Sequence, residues 1–253
     1  MPIVYTKILD VKIHLVNKKT ALKRAEDFLL ANTGQYKVYT PNPEFLVHST
    51  RDSRFKEILN SSDLNICDGF GLFLASGGKL NRLPGVDFML DLCFLADTLG
   101  VGLFLLGSGS DIVVNKTKEE LQKRFPTLHI VGINSGPKIV YENGEYKINE
   151  QENTQLVDKI NQSGAQIVFV AFGMGKQEWW ITNSLTKIPK VKIAMGVGGS
   201  FDYLSGNIKR APLFLRKIGL EWLYRLVAEP SRLKRIVDAV FVFPYYFLKD
   251  KLI

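Results

Sequence analysis

Apolar and polar positions follow two alternating rhythms along the chain. Short apolar runs predict strands over Ile3–Ile8, Lys12–Val16, Tyr36–Thr40, Leu64–Cys67, Val101–Leu106, His129–Ile133, Gln166–Phe172 and Lys190–Met195. Between many of them, amphipathic segments predict helices over Lys18–Ala31, Arg51–Asn60, Val86–Leu99, Ile112–Phe125, Glu152–Gln162 and Lys176–Thr186. Such alternation is the signature of βαβ units, so the fold class expected is α/β with a mostly parallel sheet flanked by helices. The stretch "NSGPKIVYENGEYKINEQEN" interrupts it. It is polar and rich in turn residues, and is expected to form a surface excursion with a small hairpin. After Pro212 the pattern becomes helical, basic and aromatic, broken at Pro230 and Pro244. Two units are therefore expected: a catalytic domain over 1–206 and a C-terminal appendage over 207–253.

In a parallel sheet, ligands gather at the carboxyl ends of the strands. Five predicted strand ends carry polar or glycine residues suited to a cleft: Thr40-Pro41-Asn42-Pro43-Glu44, Asp68-Gly69, Gly107-Ser108-Gly109, Gly173 to Glu178 just after Phe172, and Gly198-Gly199-Ser200-Phe201-Asp202. One such end is ordinary turn chemistry. Five in one chain indicate a binding site.

Charge sharpens the picture by its location. The net charge is +8 over 253 residues, and residues 207–253 hold ten Lys/Arg against four Asp/Glu. The basic excess belongs to the C-terminal fifth, whose partner is expected to be anionic: a phosphate ligand, a nucleic acid or an acidic membrane surface. No nucleic-acid-binding module is recognisable, so nucleic acid is not expected. Arg225, Arg232 and Arg235 recur at i, i+7 and i+10 with Trp222 and Tyr224 among them, a pattern suited to phosphate or lipid headgroups. The other reading is a solvated charged face. The final segment "VFVFPYYFLKDKLI" is too short and too charged to span a bilayer. It is expected to lie in the interface with Phe241, Phe243, Tyr245, Tyr246 and Phe247 partly immersed. The first residues, "MPIVYTKILDVKIHLV", carry interleaved charges and no cleavage site, so no signal peptide is expected. Cys67 and Cys93 lack metal or redox spacing, which suits a reduced cytoplasmic interior.

The remaining motifs narrow the chemistry. "GSGSD" after an apolar run begins like a dinucleotide loop, but Ile112 stands where the third glycine belongs. The chain has no phosphate-loop lysine motif and no Asp-x-Asp pair, and His14, His48 and His129 are scattered, so neither a metal nor a cofactor is expected. Asp68 has two readings. It is a turn or helix-cap acid, or it is a general base that takes a proton from an attacking hydroxyl. "TPNPE" is either a rigid strand exit or a presenter of Thr40 and Asn42 to a sugar. Gln177 in "GKQE" either opens a helix or binds sugar hydroxyls.

The order "TPNPE", "CDGFG", "RLPGVD", "AFGMGKQE", "MGVGGSFDYLSGNIKRAP", "GLEWLYRLVAEPSRLKR" resembles the WecG/TagA/CpsF glycosyltransferases, nearly from end to end. The resemblance implies a Rossmann-like fold with a C-terminal appendage. It implies metal-independent, inverting transfer from a UDP-sugar to a polyprenyl-diphosphate-linked sugar at the cytoplasmic membrane face, for teichoic acid or another surface polysaccharide. By the same resemblance Asp68 is the candidate base and Arg82 a second catalytic residue. Thr40, Asn42 and Gln177 face the sugar, and Trp222, Arg225, Arg232 and Arg235 complete the site over the diphosphate. Gly107, Phe172, Gly173, Gly198, Gly199, Asp202 and Lys209 are the further substrate-binding candidates. The chain departs from the family pattern in Met174-Gly175, where the family often has a proline-containing pair, in Asn81 before Arg82, and in its longer 134–150 excursion. These departures leave the sugar open, and the sequence also leaves a homo-oligomer open. Two competing classes stand beside this reading: a nucleotide-binding regulator or oxidoreductase, and a membrane-surface scaffold.

Overall fold

The computed structural model describes residues 4–252, apart from the side chains of Lys217 and Ala228; Met1 to Ile3 and Ile253 lie outside the described residues. Six strands form one parallel sheet. They are β3 (Tyr36–Tyr39), β4 (Leu64–Asn65), β5 (Leu103–Gly107), β6 (Ile130–Asn134), β9 (Ile167–Ala171) and β10 (Ile193–Gly196), in the spatial order β4-β3-β10-β9-β5-β6. The α/β class is as the alternation predicts. The opening strands β1 (Tyr5–Ile8) and β2 (Val11–His14) pair with each other in an antiparallel hairpin outside that sheet. His14 ties the hairpin to the sheet edge, where its Nδ1 accepts the Asn65 N–H at 2.8 Å.

The central strands are buried throughout because helices cover both faces. Successive side chains point to opposite faces, so each strand feeds two cores. Phe104, Leu106, Val168 and Val170 pack with α2 (Pro43–Arg51), α3 (Ser53–Asn60), α7 (Glu150–Ser163) and α8 (Lys176–Ser184). Leu103, Leu105, Ile167 and Phe169 pack with α1 (Lys18–Leu30), α5 (Gly85–Leu99), α6 (Asp111–Arg124) and α9 (Ser200–Leu204). Local signals set the helix boundaries. Asn17 caps α1, Ser110 caps α6 and Asn149 caps α7 through side-chain oxygens. Gly100 and Gly164 close α5 and α7 in the left-handed region.

Three sequence expectations need correction. "TPNPE" leaves β3 with Asn42 still extended but also starts a helix that the pattern did not predict: Asn42 caps α2 and Pro43 occupies its first turn, where a missing N–H costs nothing. The 134–150 segment does form a hairpin, β7 (Ile139–Glu142) with β8 (Glu145–Ile148), turning on Asn143-Gly144 with positive φ at both. It is more than a surface excursion, because Ile139 is buried in the core and the Tyr146 ring packs at a tilt against Trp179. Phe243 is not immersed at an interface; it is 3% exposed and belongs to the core beside α2.

The C-terminal segment runs through α10 (Leu213–Lys217), α11 (Glu221–Ala228), a 3-10 turn (Pro230–Arg232), α12 (Leu233–Val237), a π turn (Asp238–Val242) and α13 (Phe243–Leu252). It is anchored to the body by side chains as well as by Phe243. Arg51 donates two 2.8 Å hydrogen bonds to Asp238, and Arg235 pairs with Glu44. Among the described residues, no helix is long and apolar enough to cross a membrane.

Candidate active site

Parallel strands all end on one side, and the ends of this sheet open into a cleft of about 440 Å³. Thr40 follows β3, Asp68 follows β4, Ser108 and Gly109 follow β5, and Ser135 follows β6. Phe172 and Gly173 follow β9, and Gly198 and Gly199 follow β10; all line the cleft. The C-terminal segment closes the remaining side with Glu221, Arg225, Arg232 and Arg235. Six cationic side chains (Lys138, Lys176, Arg210, Arg225, Arg232, Arg235) and three acidic ones (Asp68, Asp202, Glu221) line the wall. The balance favours an anionic ligand.

Asp68 stands at the centre of this arrangement. Its N–H donates to the Pro41 carbonyl at 3.0 Å, and the Cys67 carbonyl accepts from Leu83 at 2.9 Å, so the backbone is held on both sides. It is not a helix cap: Gly69 occupies that position before α4 (Phe70–Ala75), with no side-chain cap. The carboxyl opens onto the cleft but is otherwise surrounded by protein. Burial raises its pKa to about 6; Arg225, the Gly85 amide and Arg82 oppose the rise, and Glu221 adds to it. A carboxylate poised there is ionised at neutral pH and is a better proton acceptor than an ordinary aspartate.

Below Asp68 a second cavity of about 550 Å³ runs between α4 and the C-terminal helices. Its walls are mainly apolar: Phe70, Leu74, Trp222, Ile236, Val240, Phe243 and Phe247 line it. Asn42, Asp68, Glu221, Arg225, Arg232 and Arg235 border both cavities. The carboxylate and three arginines thus mark the junction of a polar cleft and an apolar groove.

The structure gives the other sequence candidates distinct places. Asn42 lends its Oδ1 to the α2 cap, leaving its amide N–H groups as its free donors. Gln177 lies in the cleft floor, but both ends of its amide are engaged, by Gly198 N–H and by Glu178. Asp202 accepts from Asn207 at 3.0 Å at the rim. Arg225 lies over the Tyr203 ring, 5.2 Å from its centroid, and donates to Glu221 at 2.9 Å. Arg232 pairs with Glu229 and Arg235 with Glu44. Arg82 does not line the polar cleft. It borders the apolar groove, bonds the Arg216 carbonyl and reaches Glu221 at 3.3 Å, so it clamps the C-terminal segment. Trp222 is a groove wall. Lys209 is exposed and away from the cleft wall. Gly107 is also off the wall: with φ +116°, a Cβ there would meet the Ala171 backbone at 2.7 Å, so glycine serves strand packing.

Arg210, which the sequence pairs with Lys209 as a residue to meet negative charge or to form a structural ion pair, and Glu221 complete the site. Arg210 pairs with Asp87 through two nitrogens, and Glu221 bridges Arg82 and Arg225. Their signal was the adjacency of Lys209-Arg210 and of Glu221 to Trp222, but only the fold shows which member faces inward. Among the described residues, no group of three or more His, Cys, Asp or Glu is placed to hold a metal ion.

Residues 6–253 match the glycosyl transferase WecG/TagA/CpsF family. The chain belongs to this family. As a member it is a glycosyltransferase, and the α/β sheet with a C-terminal helical segment is its architecture here. Among similar proteins is the N-acetylglucosaminyldiphosphoundecaprenol N-acetyl-beta-D-mannosaminyltransferase of Bacillus spizizenii. It is 33% identical over 215 residues, covering 83% of this chain and 78% of that protein. The protein of the same name from Bacillus subtilis is 32% identical over 205 residues, covering 79% and 75%.

Proposed function

We propose that this glycosyltransferase moves N-acetylmannosamine, or a related hexose, from a UDP-sugar to a polyprenyl-diphosphate-linked sugar. The product serves a cell-surface polymer such as teichoic acid. The Bacillus relatives are named for a diphosphoundecaprenol acceptor and an N-acetylmannosaminyl group, which supports both the acceptor class and the sugar. The observation that carries the reading is the place of Asp68, where the polar cleft meets the apolar groove. The cleft suits a charged nucleotide-sugar and the groove suits a prenyl chain, so both reactants reach one carboxylate.

In this reading the acceptor hydroxyl gives its proton to Asp68 as its oxygen attacks the anomeric carbon. The bond from that carbon to the UDP oxygen breaks on the opposite face, and the configuration inverts. Negative charge grows on the departing diphosphate. Arg225, Arg232 and Arg235 each give one edge to a carboxylate and keep further N–H donors for that charge. This supply of cations supports transfer without a metal. The exposed basic and aromatic C-terminal surface supports a peripheral place on the inner face of the membrane.

The test is to narrow the groove. Ala239→Trp is expected to raise KM for a long-chain lipid acceptor severalfold and leave a short-chain, water-soluble acceptor unaffected. An equal effect on both acceptors defeats the assignment of the groove to the prenyl chain.

A further inference from the structure

Glu178 is fully buried, and Gln177 beside it is 2% exposed. The two form a short chain of hydrogen bonds between two loops of the cleft. Gly175 N–H donates to Glu178 Oε2 at 2.7 Å, and Gln177 Nε2 donates to Glu178 Oε1 at 2.6 Å. At the far end Gly198 N–H donates to Gln177 Oε1 at 2.9 Å. The chain therefore begins and ends on backbone donors, one from the loop after β9 and one from the loop after β10. The strand between them makes room for it. A Cβ on Gly196 would lie 2.7 Å from Gln177 Nε2 and 3.0 Å from Glu178 Oε1.

We propose that Glu178 is a positioning residue, whose carboxylate fixes the Gln177 amide and thereby the Gly198 turn that borders the donor site. The reason is one of parity. A chain with an N–H donor at each end needs one link that only accepts. An ionised carboxylate is that link. With glutamine at both positions, one –NH2 must face another donor, whichever way either amide is turned. A buried donor–donor conflict costs more than a missing hydrogen bond gains.

Burial pushes the Glu178 carboxyl up to about 7, against the hydrogen bonds from Gln177 and Gly175 that favour its charged form, so the acceptor-only link is complete above that pH and the test is run there. Glutamine would avoid that penalty but break the chain. Gly175 has φ +83° and supplies the N–H that makes the second donor end.

The inference rests on the donor reading above, and its test separates the two. E178Q is compared with the wild type and with the exchanged pair Q177E/E178Q, which restores an acceptor-only link one position away. E178Q is expected to weaken UDP binding and raise the donor KM by roughly ten- to a hundredfold, the range for one conflicted buried hydrogen bond. The acceptor KM should stay within twofold. Because the exchanged pair carries its carboxylate at a cleft-lining position, it is judged by protection of the Gly198 amide rather than by UDP affinity. A fold-independent check is hydrogen exchange at the Gly198 amide: protected in the wild type and the exchanged pair, fast in E178Q. If E178Q does not fold while the exchanged pair folds with Gly198 protected, the parity argument is upheld. If E178Q keeps wild-type UDP affinity and Gly198 protection, or the exchanged pair leaves Gly198 as exposed as E178Q does, the proposal is overturned. A wild type that does not bind UDP defeats the donor reading instead, and the exchange measurement still decides the role of Glu178.

Discussion

Arg82 donates to Glu221 at 3.3 Å, joining the segment before α5 to the first turn of α11 across 139 positions of sequence. Glu221 also accepts from Arg225 at 2.9 Å, so one carboxylate holds two guanidinium groups next to Asp68. Arg82 and Glu221 are largely shielded from water and Arg225 partly so, and a shielded network is less screened than one on an open surface. The C-terminal segment is therefore part of the electrostatic setting of the candidate base.

Asp68→Asn is expected to fold and to bind UDP while losing about 10²–10⁴ in turnover, the usual cost of removing a general base. Its raised folded-state pKa means the folded chain holds that proton more tightly than the unfolded one. Stability from this group is fully present below pH ~4, the unfolded value. It is lost as pH rises through about 6. At pH 7 the asparagine variant should thus be no less stable than the wild type. Turnover with a lipid-linked acceptor, UDP calorimetry and a melting curve check the three parts, and near-normal turnover removes Asp68 from the mechanism.

The base must be ionised, so kcat/KM should climb with pH up to about 6 and level off above it. Glu221 raises the Asp68 pKa, and Glu221→Gln removes that negative neighbour. The acid limb of the variant should then lie at lower pH than that of the wild type. A pH–rate profile of both proteins measures this, and a limb that stays in place or moves upward contradicts the coupling.

Exhaustive chelation should leave turnover unchanged if, as proposed, the arginines lining the cleft meet the charge of the diphosphate. The measurement is the rate before and after chelation. Activity that disappears and returns with Mg²⁺ or Mn²⁺ identifies a cation site in the reaction.

Phe241, Tyr245 and Leu252 are exposed at 67%, 62% and 87% and line neither cavity. Replacing all three by serine should weaken binding to vesicles rich in anionic lipid and leave the melting temperature and transfer to a water-soluble acceptor as they were. Co-sedimentation with vesicles reads the first effect. Unchanged vesicle binding means that this face does not dock on lipid.

The sequence by itself determined the α/β class, because continuous apolar runs and amphipathic spacing report burial directly. It also located Asp68, Thr40, Asn42 and the two glycine loops, since strand ends are where a parallel sheet binds ligands. It set the C-terminal segment apart by its basic charge and its helical, aromatic pattern. What it did not carry was pairing over distance. Nothing local to Glu221 says that it bridges Arg82 and Arg225, and nothing in the final aromatic run says that Phe243 turns inward while Phe241 stays outside. Helix N-cap and sugar-binding roles also use the same side-chain atoms, so "TPNPE" hid a helix start that only the fold exposes. Gln177 is the sharpest case: its type suits a sugar contact, but its amide oxygen and one N–H are already engaged by Gly198 and Glu178, which leaves one N–H for a ligand. Which atoms of a polar residue remain free is a property of its neighbours, and those are assembled only when strands far apart in sequence end side by side.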